Sequence, residues 1–110
     1  MAHENDLDDL ALQRHARAEQ AVVVQRRLDR HRAIAARLLS DQVSAAKLIS
    51  QAQAMVARWR AERLCSTDYS DAWAAILAKQ PAEIAAAIVS DAEGWDALRQ
   101  CSPWPGGPDG

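Results

Sequence analysis

Residues 6–64 read DLDDLALQRHARAEQAVVVQRRLDRHRAIAARLLSDQVSAAKLISQAQAMVARWRAERL, without a single glycine or proline. The first proline of the chain is Pro81 and the first glycine is Gly94. These two residues cost a helix interior roughly 3 and 1 kcal/mol respectively, so their absence leaves a helix free to propagate. Alanine, the best helix former, recurs throughout the stretch. The expected fold is therefore all-α. A long N-terminal helix or helical hairpin covers about 6–64, followed by two or three short helices and an irregular Pro/Gly tail.

Periodicity sharpens this expectation. Asn5 is placed to cap the first helix, and Asp6, Asp8 and Asp9 suit the positive end of its dipole. Leu10, Ala21, Val24, Leu28, His31, Ala35 and Leu38 follow steps of three and four, one face of a helix close to a coiled-coil seam. Ser40-Asp41 is the best break, since both can cap a new helix. A second helix then runs to about Leu64, with Ala45, Leu48, Ile49, Ala52, Val56 and Trp59 on one face. Without a break, residues 6–64 would form one helix of nearly 90 Å, at 1.5 Å per residue, and would need a partner along its length.

Beyond residue 64 the segments shorten. Ser66 to Asp71 is a polar turn, and a third helix is expected from about Asp71 to Lys79, with Trp73, Ile76 and Leu77 as its apolar set. Pro81 suits the first turn of a fourth helix that turns Ile84, Ala87 and Ile88 inward. Ser90-Asp91 is expected to cap a fifth, running to about Gln100 with Trp95 and Leu98. The predicted organisation is one helical domain over 1–100 and a flexible or docked tail over 101–110. The Pro/Gly content of that tail predicts no helix and a frayed end.

Composition limits the core. Leu, Ile, Val and Phe number only 21 of 110 residues, so a monomer has little apolar bulk to bury. A homodimer is expected on this ground. No window is apolar enough to span a membrane, and the acidic N-terminus is unlike a signal peptide. A cytoplasmic location follows, with Cys65 and Cys101 as thiols. High Ala and Arg with little Lys suggests a bacterial source.

The net charge of −2 conceals a separation. Residues 1–9 sum to −4, residues 10–63 carry eleven Arg and Lys against four acids, and residues 64–110 sum to −5. Such separation attracts polyanions or acidic partners, or is satisfied internally by the acidic tail lying on the basic helices of the same or a second subunit.

Few motifs carry chemistry. His3, His15, His31, Cys65 and Cys101 lack metal-ligand spacing, so no metal and no cofactor are expected. There is no phosphate loop, nucleophile elbow or His-Glu-x-x-His, and no enzyme is expected. Residues 83–99 resemble the bacterial helix-turn-helix pattern over about 18 residues, through Glu83-Ile84-Ala85, Ile88, Trp95 and Leu98. The turn glycine of that pattern is Val89 here, and the apolar residue after it is Ser90. Its reading helix carries Asp91, Glu93 and Asp96 against Arg99, a poor set for a surface surrounded by phosphates.

The function expected is that of a small non-enzymatic regulator that binds a protein partner and inhibits or sequesters it sterically. An anti-activator of a transcriptional regulator, such as a quorum-sensing receptor, is one example of the class. The alternative is a nucleic-acid-binding regulator using the basic helices over 10–63 or the degenerate helix-turn-helix over 81–99. The candidate protein-binding residues are Leu28, His31, Leu38, Trp59, Ile88, Trp95 and Trp104, taken from the helical seam and from the tryptophans that favour interface centres.

Overall fold

The structure, a computed structural model, describes the backbone of residues 2–109 and the side chains of residues 7–108. Five α-helices follow one another: α1 Ala2–Ser40, α2 Gln42–Glu62, α3 Thr67–Leu77, α4 Pro81–Ile88 and α5 Trp95–Gln100. A 3₁₀ turn over Gly107–Asp109 closes the described chain. No strand occurs among the described residues. Helix α1 already runs at Ala2, so Asn5 lies inside it and not at its cap.

The break falls at Ser40-Asp41. Asp41 leaves the helical conformation for extended backbone, and its carboxylate accepts from Ser44 N at 2.7 Å and Ser44 Oγ at 2.9 Å. That is an N-cap with a doubled hydrogen bond, and it starts α2 without glycine or proline. These bonds hold the Asp41 carboxyl below its usual range, the backbone N–H of Ser44 contributing most. The molecule measures 63 × 31 × 24 Å. Helix α1 alone accounts for the long dimension, at about 58 Å for its 39 residues. The chain therefore turns sharply at Asp41, and residues 6–64 form two helices.

Helix α2 buries Ala45, Leu48, Ala52, Val56 and Trp59, the face its spacing predicts. It ends on Arg63 in the left-handed conformation (φ 54°), a position where glycine is usual. Ser66 Oγ accepts from Tyr69 N at 3.3 Å and starts α3 at Thr67, four residues before the expected Asp71. The capping hydroxyl of Ser66 settles the start. Pro81 opens α4 as expected.

Ser90-Asp91 does not cap α5. Ser90 Oγ accepts from Ala92 N at 3.1 Å and shapes a turn, and the helix begins only after Gly94, whose φ is +90°. Arg99 braces this turn: its guanidinium reaches back and donates to Ser90 O at 2.7 Å and Ile88 O at 3.3 Å.

Helix α1 packs most extensively on α4, then on α2, the 3₁₀ turn and α5, while α2 packs on α3. Ile34, Trp73, Ile84 and Ile88 have no exposed surface and form the centre of the core. Small residues at Ala35, Ala45, Ala52 and Ala85 line the same core and let the helices approach closely. Of the two expectations for the tail, flexible or docked, the described residues 101–108 show docking, and the end expected to fray lies outside the described side chains. Trp104 is 3% exposed, its indole N–H donates to Leu48 O at 2.9 Å, and Arg30 donates to Pro105 O at 3.4 Å. Gly107 (φ +76°) lets the tail lie on α1, since a Cβ there would come within 3.3 Å of Arg30 Cγ. A buried tryptophan between two stiff prolines favours the docked tail.

Candidate protein-binding surface

Among the described residues, the buried and half-buried side chains of α1 all lie in its C-terminal half. The seam residues His31, Ile34, Ala35 and Leu38 are buried, and Val24 and Leu28 are half-buried at the margin. Further toward the N-terminus the same helix leaves the body. Every described side chain from Leu7 to Val23 is exposed, including Leu7, Leu10, Leu12, Val22 and Val23. The described part of this projecting arm, Leu7 to Val23, spans 17 residues and roughly 25 Å. A helix of that length is marginal alone in water, so burial against something else is what would hold it. Local pairs give modest support, with His15 Nε2 2.9 Å from Glu19 Oε1 and Gln25 donating to Asp29 at 2.8 Å.

On one side of the arm, His15, Ala18, Glu19, Val22, Val23 and Arg26 line a shallow groove of about 470 Å³. Their spacing of three and four gives an apolar centre with charged edges, the pattern that a second helix would cover.

The residues predicted from sequence as protein-binding are placed differently. His31, Leu38, Trp59, Ile88 and Trp104 belong to the chain's own core, each 8% exposed or less. Leu28 and Trp95 are half-buried at its edge. The seam and the tryptophans were read as interface because a periodic apolar face looks the same whether its partner is another chain or the same one. Sequence reasoning missed Leu7, Leu12, Val22 and Val23. Their only signal is large apolar side chains off the main seam, on faces no other element reaches.

The structure gathers three of the named residues, His31, Trp95 and Trp104, around Trp73. Trp73 meets Trp95 and Trp104 edge-on, with ring centroids at 5.9 and 5.8 Å, and stacks on His31 at 6.4 Å. Trp73 Nε1 donates to Leu98 O at 3.2 Å. His31 Nδ1 lies 2.7 Å from Arg27 O, which can only accept, so Nδ1 carries the proton. Nε2 then accepts from Ser102 Oγ at 2.8 Å, and Ser102 Oγ accepts from Trp104 N at 3.1 Å. The network is closed with a neutral imidazole. Burial pushes the His31 pKa below 6.5, opposed by the Arg27 carbonyl and reinforced by Arg99 and Arg30. Ser and His at this distance have the atoms of a nucleophile and base. Here the imidazole is 0% exposed and both nitrogens face internal partners, so the pair acts as a tie between α1 and the tail.

Charge separation is met partly within the chain. Arg60 pairs with Asp71 at 2.8 Å and Arg27 with Asp96 at 3.7 Å, each joining the basic half to the acidic half. Arg99, the cation of the helix-turn-helix-like segment, is 6% exposed and turned onto α4, away from any phosphate. Helix α5 has only six residues, so Asp91 and Glu93 precede the element that would have to enter a groove. Among the described residues no cluster of His, Cys, Asp and Glu can hold a metal, and no helix is long and apolar enough to cross a membrane. No protein-family model matches the chain, and no curated protein or solved structure shows significant similarity to it.

Proposed function

We propose that the chain is a non-enzymatic regulator that binds a protein partner through the projecting arm of α1 and acts by covering part of that partner. The observation that carries this reading is the arm itself, in which large apolar side chains from Leu7 to Val23 have no counterpart in the chain. A helical segment laid along a partner's apolar groove needs apolar anchors at spacings of three and four, and the arm places Leu7 and Leu10 three apart and Ala18 and Val22 four apart. The rest of the molecule holds one end of that helix rigidly. Steric inhibition of a transcriptional regulator is one use of such a device, and the arm also suits a second copy. The nucleic-acid alternative has less support, because Arg99 is buried and several arginines already face carboxylates.

The test is an affinity capture from the native host's lysate, treated with nuclease, using the wild type and a Leu12→Gln/Val22→Gln/Val23→Gln variant. These side chains are exposed and lie outside the buried core, so the variant is expected to keep the wild-type melting transition. The expected result is one stoichiometric protein retained by the wild type and lost by the variant. Equal retention by both, or loss of all retained protein with nuclease, overturns the proposal. Light scattering of the purified chain, run beside it, reads self-association through the same arm.

A further inference from the structure

Cys65 lies in the turn between α2 and α3, and Cys101 closes α5. They are 36 positions apart in sequence, yet their Sγ atoms stand 2.6 Å apart. A disulfide bond is about 2.05 Å long, so closing one requires a movement of about half an ångström. Both side chains are half-buried. Cys65 also lines an open cavity of about 450 Å³ with Trp59, Arg60, Arg63, Ser66 and Ser70. Arg63 favours an anion there, while Arg60 already pairs with Asp71 at 2.8 Å. Ser70 lines the same space, with its Oγ buried and without a hydrogen-bond partner among the described residues. The two thiols are not equivalent. Burial, with the adjacent Cys65, pushes Cys101 up to about 11. Cys65 lines the cavity and Cys101 does not, so Cys65 is the sulfur an incoming disulfide meets first.

We infer that Cys65 and Cys101 are a reversible redox pair, oxidised by an anionic low-molecular-weight disulfide that enters the cavity bordered by Arg60 and Arg63. The Cys65 thiolate attacks one sulfur of that disulfide, forming a mixed disulfide and releasing the first small thiolate. The Cys101 sulfur then attacks Cys65 Sγ, and the second small thiolate leaves with the Cys101 proton. Two protein thiols are oxidised and one small disulfide is reduced to two thiols. The new bond ties the α2–α3 turn to the segment that carries Ser102 and Trp104, and so locks the tail onto α1 and α2. Closing a loop of 36 positions raises the melting temperature by on the order of 10 °C.

The experiment uses the reduced full-length chain in glutathione buffers of rising oxidised fraction, with thiols counted by maleimide mass tagging. The wild type is expected to lose both thiols together, stay unlinked to other chains, gain the Tm shift, and return fully on reduction. Cys101→Ser is expected to stop at a glutathione adduct on Cys65, and Cys65→Ser to stay unmodified at the ratio that oxidises the wild type. Arg63→Gln is expected to slow oxidation by glutathione disulfide several-fold and to leave oxidation by uncharged hydroxyethyl disulfide unchanged. Retention of both thiols by the wild type, links only between chains, or preferential adduct on Cys101 overturns the pairing. Equal slowing with both disulfides overturns the role of the cavity.

Discussion

Replacing Trp104 with alanine tests whether the C-terminal segment belongs to the core. The side chain is 3% exposed, so nearly all of an area of roughly 150–250 Å² is removed from water. At about 25 cal/mol per Å², and allowing for what alanine still buries, the transfer loss is about 3–4 kcal/mol. The edge contact with Trp73 at 5.8 Å adds about 0.5–1.5 kcal/mol. The hydrogen bond to Leu48 O adds about 1 kcal/mol, because that carbonyl lies inside α2 and keeps its helical partner. Relaxation of the released tail offsets part of the sum, giving about 4 kcal/mol, within the range for Trp→Ala in a core. That is a large share of the 5–15 kcal/mol typical of whole domains. The assay is urea denaturation followed by far-UV circular dichroism, which does not depend on the deleted fluorophore. Trp104→Phe keeps a ring against Trp73 and loses the N–H bond, and is expected to cost about 1–2 kcal/mol. A cost below about 1 kcal/mol for Trp104→Ala would refute the reasoning and return the tail to a frayed terminus.

His31 predicts a pH dependence whose sign follows from its network. Its folded pKa is depressed below 6.5, so the unfolded chain takes up the proton first. Stability is complete above about pH 7.5 and falls as pH drops through 6.5 toward the folded value, while His31→Gln, less stable throughout, shows no slope over that window. Flat wild-type stability in denaturant titrations between about pH 7.5 and 5.5 would contradict the neutral, tied imidazole. Gly94→Ala meets no atom within 4 Å, so its cost is backbone strain alone, about 1–2 kcal/mol at φ +90°. Gly94→Asn is expected to cost less, and an alanine variant melting at or above the wild type would show that the turn does not need the left-handed conformation.

Some of the molecule was legible in residue types because local rules decide it. The stretch free of glycine and proline is helical. The break at Asp41 follows from a side chain that can satisfy an N-terminal N–H, and the face of α2 from Ala45 to Trp59 follows from period alone. Where two local signals competed, residue types were insufficient. Ser66 and Asp71 are both capping residues, and the earlier one starts α3. Ser90 also has a capping side chain, but its hydroxyl closes a local turn with Ala92 N and the helix starts only after Gly94.

The candidate surface divides along the same line. Periodicity located the apolar stripe of α1 from Leu10 to Leu38, because repeat spacing is written in the chain. It could not say where along that stripe the chain supplies its own partner. The fold spends His31, Ala35 and Leu38 on α4, α2 and the tail, and stops covering the helix near Val24, since the remaining helices are too short to reach further. Only that geometry turns Leu12, Val22 and Val23 into an open surface and Trp104 into core. It also sets Cys65 against Cys101 across 36 positions, a proximity no spacing could disclose. The sequence by itself determined which segments are helical, through backbone propensity and capping. Tertiary structure alone decided which apolar faces are satisfied, because burial depends on what lies opposite and not on the residues that line one side.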